Sequence, residues 1–179
     1  MRYSARDLCI GGLFGALGVA VPVLFHAVGL GKTFLPMHLP VLVCGLLVSP
    51  LVAFAVGVIT PVVSSALTGM PPLVPTAVLM TLELGTLAVT ASVCYQLLRL
   101  PTVLAVAVAL VATRAIGALE LFALAPVMGL KANLSVYLTQ SVLMCLPGLI
   151  LQLTAAPLVM ASINRAARSN STLVYREMQ

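Results

Sequence analysis

No charged residue interrupts the chain between Lys32 and Glu83. A segment that long without charge cannot keep a globule wet, and the rest of the sequence is nearly as sparse. Charged residues make up 7% of the 179, hydrophobic residues 61%, and mean hydropathy is +1.19. A soluble domain carries ~25% charged residues. The solvent of this chain must therefore be largely lipid. One apolar helical crossing needs ~20 residues, so the length allows roughly five to seven crossings. The expectation is a single all-α membrane domain over 1–179, with no room for a soluble one.

The first span reads from about Asp7 to His26. The basic segment Met1–Arg6 before it resembles the start of a signal peptide. However, Ala20-Val21-Pro22 is a poor cleavage site, and the remaining chain is equally apolar, so an uncleaved span is expected. Leu35 to Leu67 is too long for one span and short for two. A turn at Ser49–Pro50, where proline disfavours helix in the preceding residue, divides it into two. The second span is then only about 22 Å long at about 1.5 Å per residue. Thr76–Leu98, Pro101–Pro126 and Asn133–Ile163 complete the set.

Charge decides between five spans and six. Positive residues favour the cytoplasmic side. Six spans place Arg2, Arg6, Arg99, Arg165, Arg168 and Arg176 together, opposite only Lys32 and Lys131. Five spans would set Arg2, Arg6 and Lys131 against the others and weaken the bias. The expected architecture is therefore six transmembrane helices in one bundle, both termini cytoplasmic, with a short cytoplasmic tail from about residue 165. The outward loops are then Ala27–Pro36, Gly69–Pro75 and Met128–Ala132. The net charge of +5 sits mostly at the ends and reads as orientation, not nucleic-acid binding.

Glu83, Arg114 and Glu120 break the membrane rule. A charge at membrane depth costs ~2.5–3.5 kcal/mol on insertion scales. Either they form a structural ion pair within the bundle, or they line a polar pocket open to the outside. At about 100° per residue, Thr76, Glu83 and Thr90 align on the fourth helix, with Thr86 about 60° away. On the fifth, Gly117 lies between Arg114 and Glu120 in angle, leaving room for a ligand or a neighbouring helix. On the sixth, Asn133, Tyr137, Gln140 and Met144 share an arc of about 60°. Three consecutive polar stripes favour the pocket. Phe34, His38 and Met70, in or beside the outward loops, join Glu83, Arg114, Glu120, Asn133, Tyr137 and Gln140 as candidate substrate-binding residues. Lys32 and Lys131 are ordinary loop charges or a lure for an anionic solute.

Gly12, Ala16 and Ala20 recur every four residues on the first helix, and Gly11 and Gly15 broaden the strip. Small residues at this spacing let another helix approach closely, whether from the same chain or from a partner. The four cysteines, Cys9, Cys44, Cys94 and Cys145, lie singly in apolar runs and read as packed thiols. His26 and His38 are far in sequence from the carboxylates, so neither a metal site nor a hydrolase site is expected. Gly31-Lys32-Thr33 lacks the leading glycine of a phosphate-cradling loop, which would fall at His26. No catalysis and no cofactor are expected of this chain.

The stretch Pro36-Met-His-Leu-Pro-Val-Leu-Val-Cys-Gly45, followed by Thr68-Gly-Met-Pro-Pro-Leu-Val-Pro75 and by Leu79 to Tyr95, resembles the substrate-binding (S) components of energy-coupling factor (ECF) transporters, a type of ABC transporter. The resemblance spans nearly the whole chain and is strongest from Pro36 to Tyr95. It implies a six-helix subunit of a prokaryotic cytoplasmic membrane that binds a vitamin or related micronutrient from outside. It also implies docking on a membrane scaffold (T) component through an A-x-x-x-A motif on the first helix, matched here by Ala16 and Ala20 with Gly12 one turn earlier. Two cytoplasmic ATPases would drive the cycle. Ligand residues in this family differ with the vitamin, so no cargo carries over. Several members use tryptophan to stack on flat rings, and this chain has none. The competing reading is an autonomous small-solute secondary carrier or channel, for which the sequence offers prolines but no internal repeat.

Overall fold

In a computed structural model, the chain is described over residues 4–27, 35–124 and 145–177, together with Thr139 and Leu143. The described residues are helical with no strand. The helices are α1 (Ala5–Ala27), α2 (His38–Leu47), α3 (Pro50–Thr68), α4 (Val78–Ser92), α5 (Thr102–Leu124) and α6 (Leu146–Glu177). π-helical turns, Leu73–Ala77 and Val93–Leu97, flank α4. Five of these helices are long and apolar enough to cross a membrane. α2, with 10 residues, is about 15 Å long at 1.5 Å per residue, half the hydrocarbon thickness of ~30 Å. It is shorter than the sequence suggests because it begins only at His38 and ends at Leu47.

The break between α2 and α3 falls where the sequence places it. Ser49 is extended at φ −57°, ψ 152°, as the residue before proline must be, and Pro50 opens α3. The break leaves the last carbonyls of α2 without helical partners. α4 supplies the missing donors. Ser92 Oγ donates to the Val48 carbonyl at 2.7 Å, and Gln96 Nε2 donates to the same oxygen at 2.6 Å and to Leu46 O at 3.3 Å. At the other end of α4, Val74 leaves helical geometry (φ −120°, ψ 129°), so α4 proper starts at Val78 and Thr76 precedes it. At the N-terminal end of α1, Ser4 Oγ accepts from the Asp7 N–H at 3.2 Å and caps the first turn.

α2 is the hub. It packs against α1, α3, α4 and α6, while α4 packs on α3 and α5, and α5 on α6. Val41, Leu42, Cys44, Leu46 and Val48 are buried, and Leu84, Leu87, Ala88 and Ala91 of α4 close over them. The outward faces carry apolar side chains instead of charge. Leu13, Leu24, Ile59, Val111, Leu119 and Leu158 are all more than half exposed, as residues facing lipid chains would be. α6 continues helically past residue 165 to Glu177.

Two glycines set how closely the core helices approach. A methyl added at Gly45 would overlap the Ala88 backbone, and one at Gly57 the backbone of Leu84 and Gly85. Backbone cannot yield as a flexible side chain can. Gly57→Ala is expected to cost about 1–3 kcal/mol through overpacking and to lower the thermal midpoint of the purified protein by several degrees. Gly12→Ala should leave it unchanged, because nothing lies within 4 Å of an added Cβ there. A thiol-reactive dye that reports exposure of buried Cys44 and Cys94 on heating checks both; equal midpoints would refute this account of the packing.

Candidate functional site

The first residue of α2 opens onto a cavity of about 580 Å³, a volume within the ~300–1,000 Å³ usual for small-molecule sites. Its walls come from Pro22 of α1, the segment Leu35–His38, the α3–α4 connection at Gly69–Pro72, then Thr76 and Met80. Gly69 ends α3 in the left-handed region at φ 70°, a conformation other residues resist. The turn is pinned by its own hydroxyls. Ser64 Oγ donates to the Met70 carbonyl at 2.8 Å and Thr68 Oγ1 to the same oxygen at 3.1 Å, while Met70 N–H donates to Thr68 Oγ1 at 3.2 Å. This fixes Met70 over the cavity with its side chain exposed.

His38 is only 2% exposed, and neither ring nitrogen has a hydrogen-bond partner among the described residues. Such a group is expensive in an apolar bundle unless something satisfies it. His38 also lies within electrostatic reach of Arg114 on α5. Arg114 reaches Glu83 on α4 in the same way, and Glu83 reaches Glu120, one and a half turns beyond Arg114. Glu120 is buried, and its Oε1 has no hydrogen-bond partner among the described residues. Thus His38, Glu83, Arg114 and Glu120, chosen from sequence on three separate helices, belong to one polar neighbourhood. Among the described residues no group of three His, Cys, Asp or Glu could hold a metal ion. The neighbourhood offers guanidinium donors, carboxylate acceptors and an imidazole, which suits a small molecule with both kinds of group.

Two further residues stand out, of which Cys145 belongs with it. Cys145 lies within reach of Arg114 and Glu83, although the sequence suggests only a packed thiol. Gln152 on α6 is fully buried, and both ends of its amide lack a partner among the described residues. The sequence marks Gln152 only as a lone amide within an apolar run, twelve residues beyond the polar stripe of Asn133, Tyr137 and Gln140. Those three, with Phe34, lie outside the described residues, as do Lys32 and Lys131. Thr76 lies just before α4 and lines the cavity together with Met80.

A second depression lies along α1. It is a groove of about 750 Å³ between α1 and α3, lined by Gly12, Ala16 and Ala20 with Leu8, Ile59 and Leu67 among others. The small-residue strip divides here into two. Gly11 and Gly18 are buried within the chain: an added Cβ would come within 3.0 Å of Val52 Cγ1 and 2.7 Å of Thr60 Cγ2 respectively. Gly12, Ala16 and Ala20 remain exposed.

No curated protein and no solved structure matches the chain. The model of one family does, described as the ECF transporter, substrate-specific component, over residues 6–160. That match takes in α1 to α5 and the first half of α6, including the cavity, the polar neighbourhood and the groove, and by it this multi-pass membrane chain belongs to the family of substrate-specific components of ECF transporters.

Proposed function

We propose that this chain captures a small water-soluble vitamin or vitamin precursor at the outer face of a prokaryotic cytoplasmic membrane. It hands the cargo inward together with a transmembrane scaffold subunit and two ATPases. In this reading the bundle is one domain with both termini cytoplasmic, and α2, though short, completes six passes. The observation that carries the reading is the polar neighbourhood of His38, Glu83, Arg114 and Glu120 inside a bundle of otherwise apolar helices. It occurs in a chain whose family consists of substrate-specific subunits.

Arg114 anchors an anionic head such as a carboxylate, because a guanidinium binds one in a two-pronged, charge-assisted geometry. Glu83 and Glu120 accept from donor groups on the cargo. Asn133, Tyr137, Gln140 and Phe34, outside the described residues, supply the remaining contacts in this reading. A pantothenate, a folate-like pterin, a pyridoxine-like ring and a queuosine precursor each carry such a combination of groups. Gly12, Ala16 and Ala20 receive the scaffold, whose helix can lie close against a face without bulky side chains. Support for this comes from the exposure of these three residues, while Gly11 and Gly18 serve packing within the chain.

Two outcomes follow. Arg114→Ala is expected to weaken binding of the cargo identified by mass spectrometry of the purified protein by about a hundredfold, the equivalent of ~2.7 kcal/mol. Unchanged affinity in isothermal titration would remove the anchoring role. Ala16→Leu is expected to leave binding intact and to abolish ATP-dependent uptake in proteoliposomes containing the scaffold and ATPases. Uptake by wild-type chain alone, with no ATPase present, would instead favour an autonomous carrier.

A further inference from the structure

We infer that the cavity at the start of α2 seats a flat heteroaromatic ring, held between methionine side chains and read along its polar edge by His38. This rests on the reading of the chain as a substrate-capturing subunit and names the class of its cargo.

The inference follows from what lines the cavity and what does not. Met37, Met70 and Met80 approach it from three directions, from the entry to α2, the α3–α4 turn and the first turn of α4. Thioethers are polarisable and make favourable contacts with aromatic faces and edges. The intervening wall is largely proline, at Pro22, Pro36, Pro71 and Pro72, which gives a stiff boundary suited to a rigid guest. With a volume of about 580 Å³, the space is far too large for a bare ion.

Among the described lining residues only His38 and Thr76 carry a polar side chain. The Met70 amide and carbonyl are already engaged by Thr68 and Ser64. A ring with one polar edge matches this described lining, since each polar group buried without a partner is unfavourable. A neutral imidazole provides one donor and one acceptor, and both nitrogens of His38 stand without a hydrogen-bond partner among the described residues in a side chain that is almost wholly buried. A heterocycle with an adjacent donor and acceptor, such as a lactam edge, satisfies both. Arg114, within electrostatic reach of His38, then meets an acidic substituent extending from the ring. The absence of tryptophan argues against indole stacking, and the three methionines supply a different surface for the same purpose.

The test uses the full chain in detergent. Because it contains no tryptophan, absorbance beyond the tyrosine band reports a bound ring. Wild-type protein, His38→Ala, His38→Gln and Met80→Ala are each equilibrated with a small-molecule extract of bacterial cells. In parallel they are equilibrated with guanine and lumazine, two lactam-bearing heterocycles. Bound molecules are released and identified by mass spectrometry, and helical circular dichroism confirms that each variant is folded.

The expected result is a ring-containing molecule, from the extract or the added pair, on the wild type. Its occupancy should fall about tenfold in His38→Ala, equivalent to one pKd unit, and measurably in Met80→Ala. His38→Gln, which keeps a donor and an acceptor, should recover part of it. A released molecule without an aromatic ring overturns the inference, as do equal occupancies in wild type and folded His38→Ala, or no ring bound by wild type under either condition. ATP-dependent uptake of a non-aromatic cargo would sink the ring seat and leave the transport-subunit assignment standing.

Discussion

The bundle depends on how α4 repairs the break between α2 and α3. Within lipid every backbone polar group must find a partner inside the protein, and each one left without costs several kcal/mol. Ending a helix at Val48 would carry that penalty, but Ser92 and Gln96 place three hydrogen bonds on the Val48 and Leu46 carbonyls. The repair fixes more than the break. It holds α4 against the end of α2, sets the depth at which the Gly45 and Ala88 backbones meet, and brings Glu83, three turns earlier on α4, to the level of the cluster. A chain whose second helix could not stop here would not have the short α2.

Close backbone contact has a second consequence. Where helices meet at glycine, little side-chain area is buried, and the association relies on van der Waals contact between rigid surfaces. Gly45 and Gly57 do this in the interior, and Gly11 and Gly18 do it between α1 and its neighbours. These positions use up one side of α1. Gly12, Ala16 and Ala20 lie on another, where the same chemistry faces outward along the groove. Spacing alone could not separate the two uses, because residues four apart and residues one off from them both look like small-residue strips. Only the positions of Val52, Val56 and Thr60 on α3 divide them.

The sequence was informative where one residue type has a strong physical preference. The scarcity of charge gave the membrane class. Pro50 gave the break, since the residue before a proline avoids helix. Glu83, Arg114 and Glu120 marked the polar neighbourhood, since charge in lipid needs a reason. The length of α2 was less legible, because nothing in Leu47-Val48-Ser49 distinguishes a helical end from one more turn; the donors that fix the end are on α4, more than forty residues away. The departure from helical geometry at Val74 was not legible either, because the apolar run continues unbroken through Leu73–Ala77. Gln152 was missed for a different reason. An isolated amide in an apolar run carries no pattern, and its importance comes only from complete burial without a partner among the described residues.

The cost of the polar neighbourhood argues for a bound molecule and against a purely structural role. A charged residue near the middle of a span costs ~2.5–3.5 kcal/mol on insertion scales, and a whole domain is stable by only ~5–15 kcal/mol. An ion pair could recover part of that cost, yet replacing a buried pair with well-packed apolar residues is often neutral or stabilising by ~1–4 kcal/mol. A bundle needing only cohesion would do as well with leucine at these positions. Nor would an ion pair account for His38 and Gln152, which add buried hydrogen-bonding capacity without adding charge. Groups of this kind are useful when the partner that satisfies them arrives from outside. They also reject molecules that cannot satisfy them, since a wrong guest leaves the buried donors and acceptors unpaired. On the proposed reading, the same residues trade some stability of the bundle for the means to select its cargo.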